Sequence, residues 1–262
     1  MMIRAGAQPA EDPKERTDQI MPGALITGAS KGLGQEIAYS LGNAGCGVAV
    51  GYHTDENGAH KTVATLAKNH IQAMPVRIDV TDPQSIHRAA AAAEATIGPI
   101  TILVNNAGAI TREGFDEITL EHWDHVLNVC LRGAFLCSQA IGPRIKAAAG
   151  GAIINIASTA AFHPEPRSHH YVAAKSGLLG LTKALALSLA PSVSVNCVAP
   201  GYMTSPEHNE SRQDFRESIL SRLPLRRTAD ASEVAELVSF LALRGRYITG
   251  QTIIIDGGLS IK

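Results

Sequence analysis

One stretch decides the fold of this chain: Ala24-Leu25-Ile26-Thr27-Gly28-Ala29-Ser30-Lys31-Gly32-Leu33-Gly34. Its apolar start is typical of a buried strand, and residues 36–41 have the apolar spacing of an amphipathic helix. Glycines between a strand and a helix let the backbone approach a diphosphate, whose charge the helix start attracts. Three glycines within seven residues would also suit a plain surface loop. Their position strictly between strand and helix favours a nucleotide site.

Strand-like and helical runs alternate from Pro22 onward. Strands are predicted at 24–27, 47–51, 73–79, 100–105, 151–157, 193–198 and 251–256. Helices are predicted at 32–43, 56–69, 83–97, 119–148, 171–189 and 230–243. Such alternation is the pattern of a parallel sheet covered by helices. The sequence therefore predicts an α/β fold: a single-domain, Rossmann-type, doubly wound parallel sheet of about seven strands with helices on both faces.

Two segments do not fit this alternation. Residues 1–21 are charged, carry prolines and have few large apolar groups, so we expect a disordered N-terminal extension before a catalytic domain at 22–262. Residues 201–224, rich in Pro, Ser, Glu and Arg, follow a strand and are predicted to form a substrate lid.

Composition narrows the function class. The 262 residues are 45% hydrophobic with a net charge of −1 and a pI near 6.8, so no global charge bias favours nucleic acid or an anionic membrane. Apolar runs are interrupted before the length of a membrane span, and no signal peptide is evident. The four cysteines show no metal-binding spacing. We expect a reduced cytoplasmic enzyme without a metal site.

The run Tyr171-Val172-Ala173-Ala174-Lys175 carries the candidate chemistry. Residues four apart share one face of a helix, so the lysine ammonium can lie beside the tyrosine phenol. A fixed positive charge favours phenolate and would lower the tyrosine pKa, giving an acid or base usable near neutral pH. The alternative is a solvent-exposed helix edge on which the two residues have this spacing by chance. The other motifs of the chain favour the catalytic interpretation.

Over residues 22–260 the chain resembles the short-chain dehydrogenase/reductase family. The resemblance rests on motifs in a set order: the glycine stretch, Asp79-Val80, Asn105-Asn106-Ala107-Gly108, Asn128, Ser158, Tyr171 with Lys175, and Pro200-Gly201 followed by Thr204. Within the family the chain is similar to the 3-oxoacyl-(acyl carrier protein) reductases, through Pro224-Leu225-Arg226-Arg227, Glu233-Val234-Ala235 and Tyr247-Ile248-Thr249-Gly250-Gln251 ahead of Asp256-Gly257-Gly258.

The resemblance implies four catalytic residues. Tyr171 would protonate the carbonyl oxygen, Ser158 would hydrogen-bond that oxygen, and Lys175 would lower the tyrosine pKa and bind the nicotinamide ribose. Asn128 would hold a water that passes protons between Lys175 and solvent. The alternatives are a serine that satisfies a loop backbone and an asparagine satisfied within its own helix.

The resemblance also implies a dinucleotide site built from these motifs and from the end of the second strand. Its residues would be Gly28, Ser30, Lys31, Gly32, Leu33, Gly34, Tyr52, His53, Asp79, Val80, Asn105, Asn106, Ala107, Gly108, Tyr171, Lys175, Pro200, Gly201, Met203 and Thr204. An acid ending the second strand would bind the ribose 2′-OH of NAD and repel the 2′-phosphate of NADP. Here no acid occurs until Asp55, and Lys31 adds positive charge, so we expect NADP rather than NAD.

The substrate is less well specified. The family reading predicts an NADP-dependent reductase of a ketone, including 3-oxoacyl thioesters. An NAD-dependent alcohol or polyol dehydrogenase and a non-catalytic nucleotide-binding sensor are the alternatives. Arg132 and Arg144 are candidates for binding an acyl carrier protein, but residues 187–192 lack the basic residue expected after the catalytic helix.

We also expect a homotetramer that pairs the helices at 119–148 and 171–189 with those of a neighbour.

Overall fold

The computed structural model of the protein describes residues 21–148, 150–164, 166–204 and 213–261. Seven parallel strands form one sheet in the order β3-β2-β1-β4-β5-β6-β7. Their bounds are β1 Gly23–Ile26, β2 Gly47–Tyr52, β3 Ala73–Arg77, β4 Ile100–Asn105, β5 Gly151–Ile156, β6 Val193–Pro200 and β7 Thr252–Ile255. The predicted doubly wound sheet is confirmed.

Helices cover both faces of this sheet. They are α1 Gly32–Asn43, α2 Glu56–Lys68, α3 Pro83–Ile97, α4 Leu120–Leu127, α5 Gly133–Ala147, α6 His169–Leu189, α7 Gln213–Arg222 and α8 Ala231–Leu243. Side chains alternate between the two faces of each strand. On β1, Ala24 and Ile26 therefore belong to the core beneath α1 and α8, while Leu25 belongs to the core beneath α3 and α5. Buried on both faces, the strands are apolar runs rather than alternating ones.

The helix predicted at 119–148 is interrupted. α4 passes into a π-helical turn, Asn128–Arg132, before α5 begins at Gly133. The Gly133 N–H donates to the Asn128 carbonyl, five residues earlier. A periodicity of 3.6 residues cannot reveal this wider turn, because it adds one residue without ending the helix. Among the other predicted ends the largest differences are of two residues: β3 ends at Arg77, β6 reaches Pro200, and α6 begins two residues before Tyr171.

Two predicted segments fall partly outside the described residues. Of the extension at 1–21, the structure describes Met21 alone. Of the lid at 201–224, residues 205–212 are outside the described part, whereas α7 occupies much of the remainder. The lid assignment thus stays a prediction.

Strand order reverses between β1 and β4, and the Thr27 hydroxyl connects their ends. It donates to the Val104 carbonyl at 3.3 Å and accepts from the Asn106 and Ala107 N–H groups at 3.0 and 2.9 Å. Thr27 is 1% exposed. One side chain therefore holds the glycine turn after β1 against the segment that follows β4, at the point where ligands bind in such sheets.

Replacing Thr27 by valine should destabilise the fold, because the isosteric side chain removes three hydrogen bonds and leaves the Ala107 N–H without its partner. At roughly 1–3 kcal/mol for each buried group left unsatisfied, we expect the melting temperature to fall by about 4 °C or more. Thr96→Val is the matched control, since the Thr96 hydroxyl is exposed and donates to its own helix at Ala92. Thermal unfolding followed by circular dichroism at one protein concentration measures both. Equal melting temperatures would contradict the assigned role of Thr27.

Candidate active site

A cleft of about 970 Å³ opens at the carboxyl ends of β1, β2, β4 and β5. Most of the residues that the sequence predicted for catalysis or cofactor binding line it. They are Gly28, Ser30, Lys31, Gly32, Leu33, Tyr52, His53, Asp79, Val80, Asn106, Ala107, Gly108, Ser158, Tyr171, Lys175, Pro200, Gly201 and Met203. Residues from separate motifs therefore surround one space.

The glycine turn forms an anion cradle at the start of α1. Gly28 and Gly32 have φ values of +64° and +57°, a left-handed conformation that side chains disfavour. A Cβ on Gly32 would meet no atom within 4 Å, so its backbone faces open space in the cleft wall. Lys31 precedes α1 without a side-chain cap, and the first turn contains no acid. The N–H groups there can thus receive a diphosphate, and the cradle fits a dinucleotide.

The end of β2 forms the far wall of the cleft. There Tyr52, His53 and Asp55 line the cleft. The Asp55 carboxylate accepts a hydrogen bond from the Gly58 N–H at 2.9 Å and caps α2. His53 Nε2 lies 3.6 Å from Asp79 Oδ2. Burial raises the pKa of the Asp79 carboxyl, but hydrogen bonds from Thr81 and the nearby His53 and Arg77 outweigh it and hold this pKa below its usual range. Asp79 is therefore a charged acceptor at this end.

Tyr171, Lys175 and Ser158 meet at the other end of the cleft. The first turns of α6 place Lys175 Nζ 5.5 Å from the centre of the Tyr171 ring. Lys175 is 3% exposed, and its ammonium donates to the Ile156 carbonyl at 2.6 Å. Ser158 follows β5, and its hydroxyl oxygen accepts from the Ala160 N–H at 3.1 Å. Because that oxygen acts as an acceptor inside the loop, its O–H remains able to donate.

Two residues predicted to bind the cofactor have structural contacts and do not line the cleft. Asn105 points into a buried network, where its amide donates to Asn155 at 2.8 Å and to Ser138 at 3.0 Å. Gly34 lies behind the cradle, because a Cβ there would come within 2.3 Å of the Gly28 carbonyl oxygen. Asn105 thus braces β4 against β5, and Gly34 allows α1 to pack on the turn, while their contacts with a cofactor stay predictions.

Asn128 and Thr204 also stand outside the cleft wall. Asn128 begins the π-helical turn. Its carbonyl accepts a hydrogen bond from the Gly133 N–H, five residues ahead, and not from the residue four ahead as in an α-helix. Thr204 donates its backbone N–H to Ala229, and its hydroxyl lies 2.8 Å from that of Thr228.

Several cleft residues were not found by sequence reasoning. Thr54 and Thr81 follow the carboxyl ends of β2 and β3, where parallel sheets bind ligands, and Gln35 lies in the first turn of α1, so a sequence signal was available for all three. Ile110 and His125 also line the cleft. Ile110 belongs to the segment after β4 and His125 to α4, and both elements pack beside the cleft. No local pattern marks these two.

Comparison with known proteins agrees with this geometry. The family model described as Enoyl-(Acyl carrier protein) reductase matches residues 28–260. The 3-oxoacyl-[acyl-carrier-protein] reductase FabG of Staphylococcus epidermidis is 34% identical over 238 residues, which cover 90% of this chain and 98% of that protein.

Two further relatives point the same way. The uncharacterized oxidoreductase YohF of Escherichia coli is 38% identical over 91% of this chain and 95% of its own length. The solved structure of a Serratia marcescens short-chain dehydrogenase/reductase superimposes with a TM-score of 0.86 at 31% identity, covering 91% of this chain and 98% of that one. The chain therefore belongs to the short-chain dehydrogenase/reductase family of NAD(P)-dependent oxidoreductases.

Proposed function

We propose that this protein is an NADP-dependent oxidoreductase that reduces a ketone to a secondary alcohol, with Tyr171 as the proton donor. The observation that carries the proposal is the shared cleft. Tyr171, Ser158 and the buried Lys175 line the same cleft as the glycine turn, and β5, which precedes Ser158, lies two strands away from β1, which precedes that turn. A dinucleotide that spans the cleft would bring its nicotinamide to the Tyr171 end.

Each side chain has a distinct task. The nicotinamide dinucleotide, when bound, supplies the hydride. Tyr171 donates its phenolic proton to the substrate oxygen, and Ser158 stabilises the charge on that oxygen through its O–H. In the oxidative direction Tyr171 accepts the proton instead. The protein therefore contributes orientation and acid–base chemistry.

Lys175 supports Tyr171 through its charge. Its ammonium is buried and donates a hydrogen bond to the Ile156 carbonyl. Its Nζ lies 5.5 Å from the centre of the Tyr171 ring, so the lysine adds a positive charge at the proposed reacting end and is placed to hydrogen-bond the nicotinamide ribose.

The end of β2 supports NADP over NAD. No acid occurs between Gly47 and Thr54, so the 2′-phosphate would meet no fixed negative charge along β2 itself. The carboxylate that does follow, Asp55, is occupied with the N-terminus of α2. Lys31 adds a cation at the cradle. Asp55 nevertheless lines the cleft, and this favours an NAD-linked alcohol dehydrogenase as the second candidate.

The contacts of Arg144 bear on the substrate. This residue forms an ion pair with Glu94 that links α5 to α3, so its charge is already compensated within the chain. A small or thioester-linked ketone is therefore a better first probe than an acyl carrier protein. A panel of ketones that includes a 3-oxoacyl thioester, run with NADPH and with NADH and followed at 340 nm, tests the proposal. No loss of absorbance with any of them would favour a nucleotide-binding sensor.

Tyr171→Phe should abolish turnover, because only the transferable proton is removed. We expect a loss of ~10²-fold or more in kcat, with the melting temperature and dinucleotide binding unchanged. Tyr247→Phe is the control, since Tyr247 is fully exposed. Residual activity above about a tenth of wild type would exclude Tyr171 as the principal acid.

Lys31→Ala should raise the KM for NADPH by about tenfold or more and leave that for NADH nearly unchanged, because a charge-assisted phosphate contact is lost. Initial rates at saturating ketone measure both constants. Lys61→Ala, an exposed change on α2, is the control. An equal effect on the two dinucleotides would show that Lys31 does not contact the 2′-phosphate, and a wild-type preference for NADH would overturn the cofactor assignment.

We also propose a homotetramer, built first on α6. Within the described residues this helix is the one that could cross a membrane by length and composition, with a mean hydropathy of 1.3, yet only 28% of that apolar window is buried. Its exposed positions include Ala173, Gly180, Ala184 and Leu187, which share one face at helical spacing. Small residues allow close helix approach, and a second copy would cover this apolar face.

Light scattering at micromolar concentration tests the assembly. We expect about four times the 27.6 kDa of one chain. Ala184→Arg should lower that mass by placing a charge on the exposed face of α6, whereas Lys183→Arg beside it should not. A wild-type mass near that of a single chain would refute the tetramer.

A further inference from the structure

A buried polar cluster lies beside Tyr171. We call it the His170 cluster, and it consists of Thr111, Glu113, His122 and His170. The His170 ring is fully buried, and its Nε2 lies 2.5 Å from the Thr111 hydroxyl and 4.0 Å from a Glu113 carboxylate oxygen. The other Glu113 oxygen lies 2.5 Å from His122 Nδ1. Within the described part of the chain these groups do not form a metal-binding arrangement.

The cluster connects three parts of the fold. His170 belongs to the first turn of α6, His122 to α4, and Thr111 and Glu113 to the segment that follows β4. The mostly buried Glu113 carboxylate lies between the two histidines, closer to His122 than to His170, and its oxygen nearest His170 makes no hydrogen bond. The Glu113 N–H also donates to the Arg167 carbonyl at 3.0 Å. Arg167 has a φ of +76°, a strained conformation that this contact helps to hold.

The segment after β4 is anchored on both sides of the cleft wall it forms. On one side the Cys130 thiol pairs with the backbone N–H and carbonyl of Ala109 at 3.3 Å. On the other side the Thr111 hydroxyl contacts His170 Nε2, and the Glu113 carboxylate lies 4.0 Å from the same nitrogen. Ile110, which lines the cleft, lies between the two anchors. The position of Ile110 relative to Tyr171 therefore depends on the contact between Thr111 and His170.

We propose that His170 is a positioning residue. Through its contact with the Thr111 hydroxyl it holds the segment after β4 against the first turn of α6, and so sets the distance between the Ile110 wall and Tyr171. The inference extends the proposed ketone reduction, on which its kinetic consequence rests. His170 itself is fully buried and does not line the cleft, so it acts through the segment it holds.

Hydrogen exchange on the unliganded protein tests the clamp without any substrate. His170→Leu and Thr111→Val should each speed exchange at the Glu113 amide by about tenfold, the usual effect of one lost buried hydrogen bond. Residues 176–189 of α6 should keep their protection. His170→Gln, whose amide can reach Thr111, should restore slow exchange. His87→Leu, an exposed change on α3, is the control.

Kinetics test the consequence for the reaction. We expect His170→Leu to raise the KM for the ketone about tenfold, with the dinucleotide dissociation constant changed less than about twofold, since the cradle is built by other elements. The double variant with Thr111→Val should be no worse than either single one, because both remove one contact. His170→Gln should recover most of the affinity.

Several results would overturn the proposal. Wild-type exchange at Glu113 in His170→Leu would show that no clamp exists. Faster exchange with an unchanged ketone KM would show that the segment does not set the substrate wall. If Gln behaved as Leu does, the hydrogen bond would not be the acting contact. A wild-type protein that reduced no ketone would refute the proposed function and the kinetic role with it, while the exchange rates would still decide the clamp.

Discussion

The Thr27 hydroxyl is the contact on which the site depends, because it joins the ends of the two strands at which the sheet reverses its order. Two N–H groups of the segment after β4 are satisfied by this one oxygen. The Asn106 amide reinforces the join by donating to the Thr27 and Gly28 carbonyls. The glycine turn and the catalytic end of the cleft are built on opposite sides of this join, so its rigidity fixes their separation. A dinucleotide of fixed length requires such a constraint.

Buried polar groups continue this bracing into the sheet. Asn105 and Asn155, neighbours on β4 and β5, pair through their amides, and Asn155 donates to the Thr182 hydroxyl on α6 at 2.9 Å. Such a network adds little net stability, since each group also hydrogen-bonds water in the unfolded chain. It does discriminate against other arrangements, because a shift of one residue between these strands would leave amides unpaired. The register that brings Ser158 near Tyr171 is thereby defined.

The proposed catalytic end of the cleft combines the side chains proposed to act in the reaction with others that hold them in place. Lys175 and Ser158 are tied to backbone by a carbonyl and an N–H, so their positions follow from β5 and the turn after it. The proposed substrate wall belongs to the segment between β4 and α4, which has no regular secondary structure. Fewer backbone hydrogen bonds therefore hold it in place. Side chains supply what the backbone lacks there: the Cys130 thiol from the π-helical turn and the imidazoles of His122 and His170. A change in these supports would alter the cleft without touching the reacting groups.

The sequence by itself determined the features that depend on neighbours along the chain. The apolar strand before Thr27, the glycine spacing and the four-residue separation of Tyr171 and Lys175 each follow from local geometry, and they were enough to predict the doubly wound sheet and the closeness of the Tyr171 ring to the Lys175 ammonium. Only the tertiary structure decided the rest. It placed Asn105 inside the sheet, opened a π-helical turn at Asn128, and brought His170 to Thr111 across 59 residues of chain. Contacts of that kind depend on how the strands are ordered and how the helices pack, and no period in the sequence records either.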